Sequence, residues 1–314
     1  MSSELGSEDR DGAKLSSYRF PFMAMAASCE VLLFAASPAD AQAAAKTAIE
    51  EVQRIERKYS RFRDDSILSA INRRAGHDAI AVDGETAALI DFAQTAHTQS
   101  EGAFDITSGV LRRAWDFRPT SAPRLPTPAE VQALLPLVGW NKVIWQRPRI
   151  RLPHPECELD FGGLAKEYAA DRAASLLMQR GIKHGLLNLG GDVRVFGGQP
   201  EGTPWRVAIA HPRHPDRLLA SVALREGALA TSGDYERFFE VNGRRYCHLL
   251  DSRTGWPVEQ LQAASVVAPL AIVAGSLASI AMLRGEAAVP LLKSSAESYL
   301  LVDREGKVSG NLLR

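Results

Sequence analysis

The stretch DFGGLAKEYAADRAASLLMQRG, Asp160 to Gly181, places an acid, two glycines and a lysine at the mouth of a helical pattern. Ala165, Ala169, Ala173, Leu176 and Leu177 fall on one face at the 3.6 period. Gly181 stands where a left-handed helix stop is expected, with Arg180 in the last turn. Gly162 and Gly163 let the backbone come close to a ligand. A helix N-terminus offers free N–H groups and a positive dipole end, which suits phosphate, and Lys166 adds a point charge. The same residues also read as a glycine-kinked entry to a core helix, with Lys166 on the surface. The stretch is neither a Walker A loop nor a GxGxxG fingerprint.

Three further polar clusters sit beside glycines. GAFDITSGVL, 102–111, holds Asp105 and Thr107; a turn at a helix start explains it equally well. NLGGDVRVFG, 188–197, has Gly190–Gly191 between strand-like runs, either a tight turn or a place of ligand approach. ATSGDYERFFEVNGRRYCHLLDSRTGWP, 230–257, brings Thr231, Ser232, Gly233 and Asp234 to one strand and His248 with Asp251 to the far end of a hairpin. Asp251, three residues on, is placed to orient the His248 imidazole as a general base, although a lone histidine is more often structural.

The elements around these clusters come from periodicity and turn chemistry. Helical patterns cover roughly 38–58, 66–74 and 85–99. RPTSAPRLPTPAE, 118–130, reads as a proline-rich surface loop leading to a helix start at Thr127–Pro128. Short strands are expected at 142–146 and 149–152. After the Asp160 helix the chain turns β-rich, at 185–189, 192–197, 205–210 and 217–223. Asn242–Gly243 between strand-like runs is the preferred hairpin turn. A helix rich in small residues at 271–284 and a strand at 298–302 follow. Strands and helices do not alternate regularly, so an α+β fold with antiparallel sheet is expected, not a doubly wound one. Residues 1–18 read as a disordered tail, 19–305 as one domain, and 306–314 as a C-terminal tail.

The chain has 314 residues, 46% apolar and 24% charged, the composition of an ordinary globular protein. Lysine plus arginine equals aspartate plus glutamate at 37 each, so nothing marks a nucleic-acid partner. Cys29, Cys157 and Cys247 have no CxxC spacing and an odd count, which points to a reducing compartment and away from a zinc or disulfide framework. FPFMAMAASCEVLLFAASPADAQAAA resembles an export leader, with ADA before Gln42. Glu30 interrupts its apolar run, and a buried strand over Cys29–Phe34 followed by a helix from Ser37–Pro38 parses it better. The expectation is a cytoplasmic protein, periplasmic if residues 22–42 act as an export signal. No membrane span is expected.

Taken in order, FMAMAAS, YSRFRDDSILSAIN, GAFDITSGVLRRAW, LDFGGLAKEYAADRAA, LLNLGGDVRVFG, ATSGDYERFF, CHLLDSRTGWP and SVVAPLAIVAGSLASIAML resemble the ApbE family of FAD:protein FMN transferases, from about Phe22 to about Leu301. The resemblance implies an ApbE-like (T-fold-like) architecture with an FAD cleft between two subdomains. It implies transfer of the FMN half of FAD to a Thr or Ser hydroxyl of an acceptor protein, with release of AMP and with a divalent metal, usually Mg²⁺. By position, Met25, Phe62, Ala103, Phe104 and Asp105 line the flavin site. Asp160 and Lys166 hold the ribityl and phosphate region. Thr231, Ser232, Gly233 and Asp234, with His248, Leu249 and Asp251, build the wall where the acceptor arrives, and the backbone carbonyl near Gly163 faces the metal. His248 and Asp251 are the candidate catalytic residues.

Some positions depart from the family pattern. Gly275 and Ser279 stand where the family has an aspartate and a threonine that ligate the metal. Ser279 keeps a hydroxyl; Gly275 has no side chain to offer. The choices are a weaker metal site completed by water, an FAD-binding protein without transferase activity, or hydrolysis of FAD to FMN and AMP. MAA replaces MGT at Met25–Ala27. Ser252 replaces a proline, which is expected to loosen its turn.

Overall fold

A computed structural model describes residues 6–8, 14–118 and 122–312. Its centre is an antiparallel sheet that draws strands from the whole length of the chain. Along the sheet run β1 (Gly6–Glu8), β2 (Lys14–Ala24), β3 (Ala27–Ala35), β7 (Gly185–Leu189), β8 (Asp192–Phe196), β11 (Gly227–Gly233), β14 (Leu261–Ala268), β15 (Ser298–Asp303) and β16 (Val308–Gly310). A small sheet joins β4 (Ile80–Ala81), β6 (Arg149–Arg151) and β5 (Ile144–Gln146), while β9 (Trp205–His211) pairs with β10 (His214–Leu224), and β12 (Phe238–Val241) with β13 (Arg244–Cys247). The helices are α1 (Pro38–Tyr59), α2 (Ile67–Arg73), α3 (Gly84–Gln99), α4 (Pro128–Leu134), α5 (Ala165–Gln179), α6 (Ala271–Arg284) and α7 (Val289–Ser295). The α+β expectation stands.

Alternation decides which face each strand buries. In β3, Cys29, Val31, Leu33 and Ala35 are buried under the helices, and the residues between them are only partly covered. β14 is buried at every position, because its second face is covered too. That second cover is the β9–β10 ribbon, whose Trp205, Val207, Ile209 and Leu224 pack on Val193, Val195, Leu229 and Val267. On the helical face the contacts are made by alanines: Ala41, Ala44, Ala45 and Ala48 of α1, Ala169, Ala170, Ala173 and Ala174 of α5, and Ala271, Ala274 and Ala278 of α6. Such small side chains let helix backbones lie close to one another and to the sheet.

Capping fixes where α1 begins. Ser37 accepts from the Asp40 N–H at 3.2 Å and Pro38 takes the first helical turn, as the sequence indicates. α6 has no side-chain cap of its own. Its first N–H groups, of Ala271 and Ile272, donate to the Asp171 carboxylate at 2.9 Å each, and Arg194 of β8 pairs with the same carboxylate at 3.1 Å. One acid on α5 thus sets the height of α6 against the sheet.

Two tail assignments need correction. Lys14–Tyr18 are not a disordered tail; they are the first half of β2, with Ser16 opposite Ala35 and Tyr18 opposite Leu33. Gly6–Glu8 in turn pair with Lys14–Ser16. Residues 1–5 and 9–13 of the expected tail lie outside the described residues. At the other end Val308–Gly310 pair with Leu300–Val302 as β16. Both edges use main-chain hydrogen bonds that the polar composition of these segments does not announce.

The run Ala271–Ser295 is long and apolar enough by composition to cross a membrane, which the sequence reading overlooked. Within the fold 61% of its most apolar window is buried, and α6 packs on β11 and β14. It has the surroundings of a core helix.

Candidate active site

Four elements converge on one polar centre: the start of α5, the β7–β8 turn, the end of β11 and the middle of α6. Gly190 and Gly191 have φ of 61° and 98°, the left-handed conformation of a two-residue hairpin turn, and Leu189 faces Asp192 across it. The turn therefore delivers Asp192 at the first position of β8. Its carboxylate is 2.7 Å from the Lys166 ammonium and accepts the Thr231 N–H at 3.1 Å. Burial opposes the charge on Lys166, but the Asp192 and Glu167 carboxylates outweigh it and hold the ammonium above its usual range. No side chain caps α5; the Ala165 N–H donates to the Phe161 carbonyl at 2.8 Å, and the N–H groups that follow are the ones placed for an anion beside Lys166.

Glu167 lies beside Lys166 and is buried. Its Oε2 has no hydrogen-bond partner. Burial first, and then the negative charge of Asp192, push its carboxyl well above the usual range. Across from it, Ser279 and Ser232 share a hydroxyl hydrogen bond at 3.2 Å, and Thr231 and Ser265 share one at 2.8 Å. Asp234 is clamped bidentately by Arg213, both oxygens at 2.7 Å, so its carboxylate anchors the wall. Gly233 pairs with Ala263 in the sheet, and Leu249, half-buried, accepts the Val258 N–H at 3.0 Å.

The expected His248–Asp251 pairing is not formed. The His248 Nδ1 meets the Arg237 carbonyl at 3.3 Å, whereas Asp251 is held by Arg253 at 2.7 Å and by the Arg253 N–H at 2.8 Å. Three residues in an irregular loop do not share a face as they would in a helix, and the neighbouring arginine reaches the acid first. Burial, reinforced by the positive charge of Arg237, brings the His248 imidazole down to about 4. It is therefore neutral at ordinary pH and able to accept a proton.

Asp105 is also differently employed. Its carboxylate accepts the Thr107 N–H and hydroxyl at 2.8 and 2.7 Å and the Trp140 N–H at 2.9 Å, so it closes a turn and points no free oxygen at a ligand. That is the structural alternative the sequence left open. It fixes the loop that carries Ala103 and Phe104, both buried. A Cβ at Gly163 would stand 3.3 Å from the Phe104 ring, so the ring packs directly on this glycine and would have to give by a few tenths of an ångström to admit a side chain. Ser252 tightens the same loop: its hydroxyl donates to the Gly102 carbonyl at 2.9 Å, a bond that proline could not make. The hydroxyl that proline lacks thus ties this turn to the Gly102 loop.

Asp160 stands between two arginines, Arg61 at 2.8 Å and Arg112 closer still, and accepts the Gly162 N–H at 3.1 Å. Beside it Phe62 is 82% exposed, with the Arg61 guanidinium 4.5 Å from its ring centroid. A large apolar ring left this open is available for stacking. Met25 and Ala26 form the β2–β3 turn with φ of 53° and 57°, a strained choice for residues with side chains, and the Met25 N–H donates to Glu56 at 2.7 Å.

Sequence reasoning missed Glu167, Asp192, Arg61, Arg112 and Arg213. Asp192 carried a signal, an acid directly after a double glycine. Glu167 carried none, because one charged residue in a helical pattern looks like surface. Among the described residues no three His, Cys, Asp or Glu side chains are grouped to hold a metal.

A model of the ApbE family matches residues 25–300. The FAD:protein FMN transferase of Vibrio cholerae is 31% identical over 239 residues, covering 75% of this chain and 71% of that protein. The protein of the same name in Escherichia coli K12 is 30% identical over 255 residues, with 79% and 73% covered. Of solved structures, the ApbE protein of Thermotoga maritima superposes with a TM-score of 0.86 at 29% identity, over 93% of this chain and 96% of that one. The apo flavinyl transferase ApbE of Pseudomonas stutzeri gives 0.82 at 26% identity, over 95% and 94%.

Proposed function

The chain belongs to the ApbE family, and from that premise we propose that it is an FAD:protein FMN transferase that moves the FMN half of FAD to a Thr or Ser hydroxyl of an acceptor protein. The observation that carries this reading is the arrangement at the start of α5: an uncapped helix N-terminus, Lys166 locked to Asp192, and a neutral His248 in the facing wall. The relatives carry the transferase name, and neither binding alone nor hydrolysis draws support from them.

In the reaction the acceptor oxygen attacks the phosphorus of the FMN phosphate. The bond to the bridging oxygen breaks, that oxygen leaves with AMP, and the hydroxyl proton goes to a base. Lys166 and the helix N–H groups neutralise the pyrophosphate, which is most of what phosphoryl transfer requires. His248 takes the hydroxyl proton at its free ring nitrogen. Phe62 stacks on the flavin, and Phe104 backs the glycines over which the phosphates lie. Ser232 and Thr231, already hydrogen-bonded into the wall, leave it polar where the hydroxyl enters.

Mg²⁺ takes hard oxygen donors. The Ser279 hydroxyl, the carbonyl at Gly163 and the buried carboxylate of Glu167 are of that kind, and the orphaned Oε2 of Glu167 suits a cation. Held there, the ion would withdraw charge from the pyrophosphate. We place the activity in the cytoplasm. The three cysteines are all free, and a leader cleaved near residue 42 would remove β1, β2 and β3 from one side of the sheet. The test is incubation of the protein with FAD, Mg²⁺ and a candidate acceptor domain, followed by denaturing electrophoresis. Flavin fluorescence on the acceptor band supports the reading; its absence with every acceptor tried, from protein that binds FAD, overturns it.

A further inference from the structure

The family resemblance puts a carboxylate on α6 at the position of Gly275, and the structure shows what fills the space in this chain. A Cβ built on Gly275 would lie 2.5 Å from Cγ, 3.0 Å from Cδ and 3.1 Å from Oε1 of Glu167. The end of the Glu167 side chain therefore sits where a side chain from residue 275 would begin. The two cannot keep these positions together: a Cβ at 2.5 Å from an aliphatic carbon is far inside van der Waals contact, so a side chain at 275 would make Glu167 move. The carboxylate arrives from α5 at the place where an acid on α6 would have delivered one.

A second, independent feature points to a ligand. Glu167 is 7% exposed and its Oε2 has no partner, whereas neighbouring buried acids are fully engaged. Asp192 is held by Lys166 and Thr231, and Asp171 by Arg194 and two helix N–H groups. A buried carboxylate oxygen without a hydrogen bond is costly unless the group holds a proton or something coordinates it, and a cation bound there would displace that proton. Ser279 lies one turn along α6 from Gly275, so its hydroxyl faces the same side.

We propose that Glu167 replaces the missing carboxylate at position 275, so that α5 rather than α6 supplies the acidic ligand of the divalent cation in this chain. The inference rests on the flavin-transfer reading only for the kind of ion expected. It turns Gly275 from a lesion into a complement, because glycine leaves room for Glu167 in the position it occupies.

The test is titration of Mn²⁺ alone into the purified full chain, followed by the spin-resonance signal of free metal and repeated with FAD present. Wild type is compared with Glu167→Gln, Gly275→Asp and the double exchange Glu167→Gly with Gly275→Asp. Glu167→Gln keeps the shape and is expected to weaken Mn²⁺ binding at least about tenfold, the loss of one charged ligand. Gly275→Asp alone is expected to lower the melting temperature without tightening Mn²⁺. The double exchange is expected to restore both, to within about threefold of wild type in affinity. Wild-type affinity in Glu167→Gln, or no Mn²⁺ binding by wild type with or without FAD, overturns the proposal. So does a double exchange that binds no better than Glu167→Gln while melting like wild type. Flavin transfer is scored separately. Transfer with a Glu167→Gln affinity unchanged sinks the ligand assignment alone; Mn²⁺ held through Glu167 without any transfer sinks the transferase reading alone.

Discussion

Asp171 offers the most exacting test of how the site is held. Its carboxylate accepts two α6 N–H groups at 2.9 Å and pairs with Arg194 at 3.1 Å, and both side chains are about nine-tenths buried. Asp171→Ala removes the cap of α6, worth about 1 kcal/mol or more. It also strands the Arg194 guanidinium, which keeps only the carbonyls of Val195 and Gly227. Breaking a buried pair from one side costs about 3–5 kcal/mol, so a total near 4 kcal/mol is expected, with the two effects overlapping. At about 2 °C per kcal/mol for a chain of this size, the melting temperature should fall by about 8 °C. Asp171→Asn keeps an acceptor oxygen and should lose about half as much. Adding Arg194→Met to Asp171→Ala should recover part of the loss, because the stranded charge goes with it. The assay is thermal unfolding followed by circular dichroism, with FAD affinity measured beside it. An Asp171→Ala protein that melts within about 2 °C of wild type would refute the reasoning, since it would mean that α6 is placed by its apolar face alone.

Other outcomes follow from the same geometry. His248 sits at about 4, below its free value of 6.5, so the unfolded chain takes up the proton first; stability contributed here is present above pH 6.5 and is lost as pH falls towards 4. For the same reason the acid limb of the transfer rate should lie well below pH 6.5, and His248→Gln should flatten it, as a pH profile would show. Lys166→Met should weaken FAD binding about tenfold to a hundredfold, read by flavin fluorescence, since a charged contact to phosphate is worth about 1.5–3 kcal/mol. Ala26→Gly should stabilise the fold by about 0.5–1 kcal/mol in urea unfolding, because Ala26 holds a left-handed φ of 57° that glycine adopts without strain.

What the sequence disclosed and what it hid divide along the range of the interactions. Local chemistry was legible. Asn242 and Gly243 have φ of 52° and 73° in the turn between β12 and β13, as their types indicate. Ser37–Pro38 opens α1, Thr127–Pro128 opens α4, and Gly181 follows the end of α5. Glu30 within the apolar run, and the helix start at Ser37–Pro38, were enough to recognise a strand within a leader-like stretch. Contacts between distant segments were not legible. Asp105 looked like a ligand and is consumed by Trp140, while Asp251 looked like a partner for His248 and is consumed by Arg253. Glu167 looked like helix surface until α6 covered it. The edge strands at Lys14–Tyr18 and Val308–Gly310 were hidden because pairing there uses backbone groups that every residue carries. The order of the motif blocks conveyed what single residues could not, and it led to the correct family.

The most direct measurement is the ratio of AMP released to flavin retained on the denatured acceptor, with purified protein, FAD and Mg²⁺. Transfer requires one AMP for each flavin that becomes covalently bound, and none of either when the acceptor hydroxyl is removed. AMP release that continues without protein-bound flavin would mean that water is the acceptor, and would contradict the assignment of this site to flavin transfer.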